Sequence, residues 1–440
     1  MQQVKKISVV GLGKLGLCTA ACFASKGFKV IGVDVDIDKI NKINKALTPI
    51  IETDLAELLK KSIKNLKATS DYDEAILNSD VTFIVVATPS LADGSFSNEY
   101  LEKAVHKIAE SLKKKKGYHV VVVTSTVMPQ TTETVVKYVL EKVSGKKCGK
   151  DFGLAYNPEF IALGSVIHDF LNPDMLLIGE ANKVDGDILE YIYKKTCDNN
   201  PYFARMSPVN AEITKISLNC YITTKITFAN SLSQVCEKVK GADAYVISTA
   251  LGMDSRIGSK YIRPGLGYGG PCFPRDNQAF ACFARLMETQ AKLAEKVDEV
   301  NRDQVTRVLD RINDSLANSK SKKSKKRIAV LGLSYKPNTP IIEDSQALNI
   351  AHMLVNEGYI VSVYDPQAME NARGVLGDAV GYAKNAQECV SGADLTVLAV
   401  PWQEFKKINF KKAGKDMIIL DCWQFFSDKD GISLKSLGKG

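Results

Sequence analysis

A short apolar run, Ile7 to Val10, passes into Gly11-Leu12-Gly13-Lys14-Leu15-Gly16, then a helical pattern from Leu17 to about Ser25, then a second apolar run, Lys29 to Val33, closed by Asp34. Strand, glycine turn, helix, strand and acid in that order specify a βαβ unit that binds a dinucleotide, whereas the glycine spacing alone would be weak evidence. Gly11 permits the tight turn, Gly13 lets a pyrophosphate approach the backbone, and Gly16 lets the helix pack on the sheet. A carboxylate at Asp34 accepts hydrogen bonds from ribose hydroxyls and repels a 2′-phosphate, which selects NAD over NADP.

The same rhythm continues down the chain. Val81 to Ala87 and Val120 to Val123 read as strands, alternating with helical stretches near Leu101 to Leu112 and Thr131 to Glu141. Such units build a parallel sheet that binds ligands at the carboxyl ends of its strands, where Thr88 and Ser125-Thr126 fall; a hydroxyl there also suffices as a helix cap. After Pro208 a long amphipathic helix is predicted from Ala211 to about Lys238, with Lys215 and Asn219 one turn apart on one face. A second strand-rich unit starts at Arg327 and continues through Val361 to Tyr364, Leu395 to Val400 and Met417 to Leu420. The predicted class is α/β: two Rossmann-like, doubly wound parallel-sheet domains joined by a long central helix. Its divisions are 1–207, 208–318 and 319–440, with the lysine-rich stretch Ser319 to Lys326 marking the last boundary.

Composition excludes several classes. With 440 residues the chain exceeds one ordinary core, and 45% hydrophobic with 25% charged residues is normal for a globular enzyme. No apolar run nears the ~20 residues of a membrane helix, and Met1 to Val10 lacks a signal pattern, so no membrane association and a cytoplasmic location are expected. Ten cysteines without a dense framework fit a reducing compartment, and no Cys-x-x-Cys or His/Cys cluster predicts a metal site. The net charge of +8 comes largely from Lys113 to Lys116 and Lys320 to Arg327. Neither run has interleaved aromatics, so they read as solvated loops and no nucleic-acid partner is expected.

Chemistry concentrates in Gly265-Leu266-Gly267-Tyr268-Gly269-Gly270-Pro271-Cys272-Phe273-Pro274-Arg275-Asp276. The glycines let backbone turn sharply against a substrate, and an apolar helical pattern follows from Ala279 to Leu286. Cys272 is thereby predicted at a helix N-terminus, where the dipole and free N–H groups favour thiolate. A buried structural cysteine is the alternative, and the glycine bed and Arg275-Asp276 argue against it.

The Gly11 loop with Asp34, Pro49-Ile50-Ile51-Glu52, Ser125-Thr126-Val127-Met128-Pro129, Asn157-Pro158-Glu159-Phe160, Lys215 with Asn219, Arg256-Ile257-Gly258, the Cys272 run and Gly332 to Lys336 appear in one order. By these residues the chain resembles the UDP-glucose/GDP-mannose dehydrogenase family over nearly its whole length. The resemblance implies four-electron oxidation of a nucleotide-sugar C6 alcohol to the carboxylate with NAD, through a covalent adduct on Cys272. It implies oxyanion stabilisation by Lys215 and Asn219, and proton and water handling by Asp276 and Glu159 with Thr126. NAD contacts are implied at Gly11, Gly13, Leu15, Gly16, Asp34, Lys39, Thr88, Thr126 and Arg275. UDP-sugar contacts are implied at Glu159, Phe160, Ile161, Lys215, Asn219, Arg256, Tyr268, Gly269 and Lys336. It further implies a homodimer or higher homo-oligomer paired through the long helix, with Arg256 reaching the neighbouring subunit's site.

The run around Cys272 looks like the UDP-glucose branch, with GDP-mannose relatives near and N-acetylhexosamine relatives further off. Departures from the family pattern stand at Lys14-Leu15, Leu163, Arg275, Glu343 and Trp423-Gln424. A two-electron hydroxyacid dehydrogenase and a non-catalytic nucleotide-sugar-binding relative are the alternatives from other classes; the first needs no reactive thiol.

Overall fold

The computed structural model describes residues 4–317, 326–413, 417–427 and 433–440. The predicted boundary at Ser319 to Lys326 lies almost wholly outside the described residues. Contacts divide the chain into two compact units, Met1–Ser217 and Leu218–Gly440.

In the first unit an eight-stranded sheet is formed by β1 (Lys6–Val10), β2 (Lys29–Val33), β3 (Leu66–Thr69), β4 (Val81–Ile84), β5 (Val120–Val123), β6 (Gly153–Tyr156), β7 (Met175–Glu180) and β8 (Tyr202–Met206), in the order β3-β2-β1-β4-β5-β6-β7-β8. The reversal of order beside β1 places the Gly11 loop at the switch point where doubly wound sheets bind ligands. Both faces are covered. In β5 Val120 and Val122 enter one apolar cluster while Val121 and Val123 enter another, which is why this strand is an unbroken valine run. The expectation of a purely parallel sheet needs one correction: β6 and β7 pair antiparallel. The chain passes between them through the short helix Val166–Leu171 and returns antiparallel.

Strands end sooner than their hydrophobicity implied. The expected strand Val81 to Ala87 stops at Ile84 and Leu395 to Val400 stops at Leu398, the remaining apolar residues leading into loops at the carboxyl edge. The expected helix after Thr131 starts with a π turn, Thr132–Val136, before regular helix Lys137–Ser144. The buried Glu212 carboxylate accepts from Gln130 N at 2.6 Å and Thr132 N at 2.8 Å, taking up free donors at that irregular start.

The long helix spans Pro208–Cys236, and the boundary between the units falls inside it. The second unit continues with helices Ala244–Met253, Phe273–Leu286 and Lys292–Ala317. Its sheet comprises β9 (Arg327–Leu331), β10 (Ile360–Tyr364), β11 (Gly381–Tyr382), β12 (Leu395–Leu398), β13 (Ile418–Asp421) and β14 (Ser433–Ser436), ordered β11-β10-β9-β12-β13-β14 with parallel pairing throughout.

Its first turn repeats that of the first sheet. Gly332 N donates to Tyr364 O at 2.8 Å as Gly11 N donates to Val33 O at 2.8 Å, and both glycines have positive φ, 92° and 95°. Asp365 corresponds to Asp34, but the protein's own groups occupy it: Leu333 N, Ser334 N and Oγ, Gln367 N, Ala368 N and Trp402 Nε1 all donate to its carboxylate.

Candidate active site

The three glycines of the first loop do different work. A Cβ on Gly11 would lie 2.3 Å from Val85 O, and one on Gly16 would lie 1.9 Å from Gly11 O, so both are forced by packing. A Cβ on Gly13 would meet nothing within 4 Å. That open backbone is what an approaching pyrophosphate needs at the N-terminus of helix Lys14–Ser25. The loop borders a groove of about 970 Å³ whose lining includes Gly11, Gly13, Asp34, Lys39, Tyr72 and Val86. Asp34 Oδ2 accepts from Leu12 N at 2.9 Å and Lys39 Nζ at 3.0 Å, and Oδ1 accepts from Asp36 N at 3.0 Å. Burial raises the Asp34 pKa, but donors from Asp36, Lys39 and Leu12 outweigh it and leave the carboxyl below its ordinary value. An anion aimed at a dinucleotide-sized groove from beside an open glycine turn fits NAD. Leu15 is half-buried against the core.

At the carboxyl ends of β4, β5 and β6, the hydroxyls act across strands. Thr88 Oγ1 donates to Thr126 O at 2.6 Å, and Ser125 Oγ accepts from Val86 N at 2.9 Å while donating to Val86 O at 2.7 Å. Helix capping, the alternative use of hydroxyls here, is not what these bonds do. Just after β6, Glu159 keeps part of its surface exposed, yet burial of its carboxyl pushes it up to about 7, with the Tyr193 hydroxyl and the Lys215 charge working against the rise. Lys215 donates from Nζ to Glu159 O at 2.6 Å and lies 4.7 Å from the centre of the Phe160 ring. Lysine, carboxyl and ring thus form one cluster. Ile161 and Leu163 are partly buried and pack against the apolar cluster on one face of this sheet.

In the second unit Cys272 is exposed and caps the N-terminus of helix Phe273–Leu286, with Asp276 N donating back to Cys272 O at 2.9 Å. One turn into that helix, Asp276 accepts from Asn219 Nδ2 at 2.6 Å, both side chains being buried. Arg275 is partly buried, its Nε 3.8 Å from Asp276 Oδ1.

The glycine run before the thiol is gripped from several sides. Asn301 accepts from Tyr268 N at 2.8 Å and donates to Tyr268 O at 3.0 Å, as a neighbouring strand would. Gly265 donates to Asn230 Oδ1 at 2.9 Å and accepts from Gln304 Nε2 at 2.7 Å. A Cβ on Gly265 would lie 2.5 Å from the Trp423 ring, and one on Gly269 would lie 2.2 Å from Asp344 O. Gly270, at φ 84°, would meet the Tyr335 ring at 2.6 Å. The departure at Trp423 therefore has a packing role: its ring covers Gly265 while Nε1 donates to Ala399 O at 2.8 Å.

Other expected contacts are more dispersed. The Tyr268 hydroxyl turns inward to Asp298 Oδ1 and Asn277 Nδ2, both at 3.3 Å. Lys336 is partly buried with its Nζ 5.8 Å from the Tyr335 ring centre, and Glu343 is exposed while its carbonyl accepts from Gly270 N at 2.9 Å. Arg256 is exposed and forked to Asp254. Asn301, Gln304, Asn230 and Tyr193 were absent from the sequence-based candidates. No motif surrounds them, and only their contacts reveal them. Among the described residues no His/Cys/Asp/Glu group could hold a metal ion and no helix is long and apolar enough to cross a membrane.

A dinucleotide groove at the switch point of one doubly wound sheet, in a chain that also bears an exposed thiol, defines an NAD-dependent dehydrogenase. Its type follows from similarity to known proteins. Models of the UDP-glucose/GDP-mannose dehydrogenase family match the chain in three stretches: the NAD binding domain at residues 5–197, the central domain at 209–303 and the UDP binding domain at 329–428. The chain belongs to this family. It is 36% identical to the UDP-glucose 6-dehydrogenase AglM of Haloferax volcanii, over 98% of this chain and 100% of that protein. It is 34% identical to the GDP-mannose 6-dehydrogenase of Pseudomonas putida, over 94% and 95%. The solved UDP-glucose dehydrogenase of Pyrobaculum islandicum superposes with a TM-score of 0.89 at 31% identity, covering 100% of this chain and 98% of that one.

Proposed function

We propose that the protein oxidises the C6 alcohol of UDP-glucose to the carboxylate of UDP-glucuronate in two NAD-dependent steps, with Cys272 holding the aldehyde between them. The observation that carries this reading is the exposed Cys272 at the head of a helix whose first turn bears the buried Asp276–Asn219 pair.

The Gly11–Asp34 groove would hold NAD, which would supply the hydride acceptor for each oxidation; the remaining chemistry falls to the protein's own residues. After the first oxidation the Cys272 thiolate forms a C–S bond to the aldehyde carbon, giving a thiohemiacetal that cannot diffuse away. Loss of the second hydride leaves a thioester. Water then bonds to the carbonyl carbon, the C–S bond breaks, thiolate departs, and Glu159 takes the water's proton. The Lys215 ammonium and Asn219 amide stabilise the charge that develops on oxygen, and Asp276, bonded to Asn219, and Thr126 assist proton handling. Phe160, Ile161, Arg256, Tyr268, Gly269 and Lys336 complete the sugar-nucleotide contacts, and Leu15, Lys39, Thr88 and Arg275 those to NAD.

The three family matches support a division at 207/208 and 318/319. On helix Pro208–Cys236, Tyr221, Phe228 and Val235 are spaced by seven and exposed, which supports pairing with a second copy of the chain. That the ten cysteines form no disulfide supports a reducing, cytoplasmic location. GDP-mannose is the second reading, favoured by the relatives that carry that name.

A panel of UDP- and GDP-sugars assayed with NAD tests the proposal. UDP-glucose should yield two NADH per sugar; one NADH per sugar would return the protein to two-electron chemistry, and preference for GDP-mannose would reassign the substrate.

A further inference from the structure

Glu159 has a neighbour whose hydrogen bonding does not balance unless protons are counted. Tyr193, on helix Lys183–Thr196, is fully buried, its ring fixed among Phe23, Phe83 and Phe170 with centroids 6.1, 6.5 and 5.9 Å away. Its hydroxyl lies 2.5 Å from Asn157 Oδ1 and 3.2 Å from Glu159 Oε1. Asn157 is fully buried too, and its Nδ2 donates to Leu177 O at 2.9 Å, so its oxygen faces the tyrosine as an acceptor only. A tyrosine has one proton to give. At 2.5 Å that proton belongs to Asn157, so the longer contact to Glu159 is a hydrogen bond only if Glu159 is itself protonated and donates to Tyr193 Oη. If Glu159 ionises, the tyrosine proton must turn to it and leave the buried Asn157 oxygen without a donor.

Resting on the reading of Glu159 as the base for thioester hydrolysis, we infer that Asn157 and Tyr193 are positioning residues that set its protonation: Asn157, acting through the Tyr193 hydroxyl, favours the neutral carboxyl. The pair makes Glu159 readily protonated between turnovers while keeping a donor in place for the carboxylate when it forms. Other groups face Glu159 as well. Lys215 on helix Pro208–Cys236 favours the ionised form; the thiols of Cys22, on helix Lys14–Ser25, and Cys197 are both pushed up by burial and stay neutral.

The test is a double-mutant cycle on the pH dependence of thioester hydrolysis, followed by intact mass of the acyl-enzyme after a single turnover. Asn157→Leu keeps the volume and removes the acceptor, so the acid limb should move down by roughly one pH unit, the worth of one hydrogen bond. In a Tyr193→Phe background, Asn157→Leu should move it no further. An equal shift in both backgrounds, or none in either, would overturn the inference, because a residue with a merely structural role does not act through the hydroxyl. Should Asn157→Leu fail to fold, Tyr193→Phe alone decides by infrared spectroscopy. The C=O stretch of protonated Glu159, identified by its loss in Glu159→Gln, should rise when its acceptor is removed; an unmoved band refutes the arrangement. Glu159→Gln also separates the two readings, since normal hydrolysis by that variant would defeat the base assignment itself.

Discussion

The Asn219 side-chain amide and the Asp276 carboxylate meet at 2.6 Å, between helices Pro208–Cys236 and Phe273–Leu286. One turn further along the first helix and one residue further along the second, Asn277 Nδ2 donates to Thr223 Oγ1 at 2.9 Å, so a polar seam fixes the helix that carries Cys272 at its head. With the role proposed for Asn219, the arrangement would couple oxyanion stabilisation to thiol placement.

Asn219→Ala should therefore cost activity and stability together. It leaves the buried Asp276 carboxylate without this donor, a loss of about 1–3 kcal/mol, and removes an oxyanion donor whose absence lowers kcat by roughly 10²–10³-fold. Denaturant midpoints and steady-state kinetics on the same preparations check both.

Cys272→Ser preserves side-chain size and removes a good nucleophile and leaving group. Binding of NAD and nucleotide sugar should stay within a few-fold of wild type while steady-state turnover fails, with an aldehyde or slowly hydrolysed ester adduct visible by intact mass. Full turnover to the uronic acid would refute the covalent route.

Asp34 stands below its ordinary carboxylate range and is ionised at neutral pH. A 2′-phosphate placed against it should lower kcat/KM for NADP at least about tenfold relative to NAD, the cost of roughly 1.4 kcal/mol of repulsion. Comparable efficiencies with the two cofactors would show that Lys39, 3.0 Å from Asp34, neutralises the carboxylate.

Glu159 links chemistry to pH in two ways. In the role of base proposed for it, it must be ionised, so hydrolysis should fall off below about 7. Its folded pKa is raised, so the protonated group is tolerated in the fold at low pH and stability is lost as pH rises from the ordinary 4.5 through about 7. Glu159→Gln removes that penalty. The variant should gain on wild type by a few kcal/mol between pH 5 and pH 8, on the order of what a shift of this size implies; parallel melting curves that do not diverge with pH would contradict it.

Gly270→Ala tests the grip on the glycine run. The new Cβ meets the Tyr335 ring at 2.6 Å in a left-handed backbone, so a loss of about 1–3 kcal/mol is expected, with slower alkylation of Cys272 as the loop shifts. An unchanged melting curve would show that Tyr335 moves aside freely.

The nucleotide-binding half of the fold was legible in the sequence because its determinants are neighbours along the chain. The Gly11 turn and the Asp34 carboxylate act within one βαβ unit and the valines of β5 within one strand, so local sterics and hydrophobic patterning specify them. Cys272 at a helix head was legible for the same reason: glycine and proline punctuate the backbone locally. Tertiary structure alone decided that β7 runs antiparallel to β6, that Asn301 holds Tyr268 as a strand would, and that Trp423 covers Gly265. It also decided that Tyr193 reaches Glu159 and Asn157, in the loop after β6, from helix Lys183–Thr196. These contacts join residues tens of positions apart through single polar or packing interactions. Periodicity records only which face of an element is buried, so a hydroxyl or amide at such a position looks like any other until the opposing atom is brought to it.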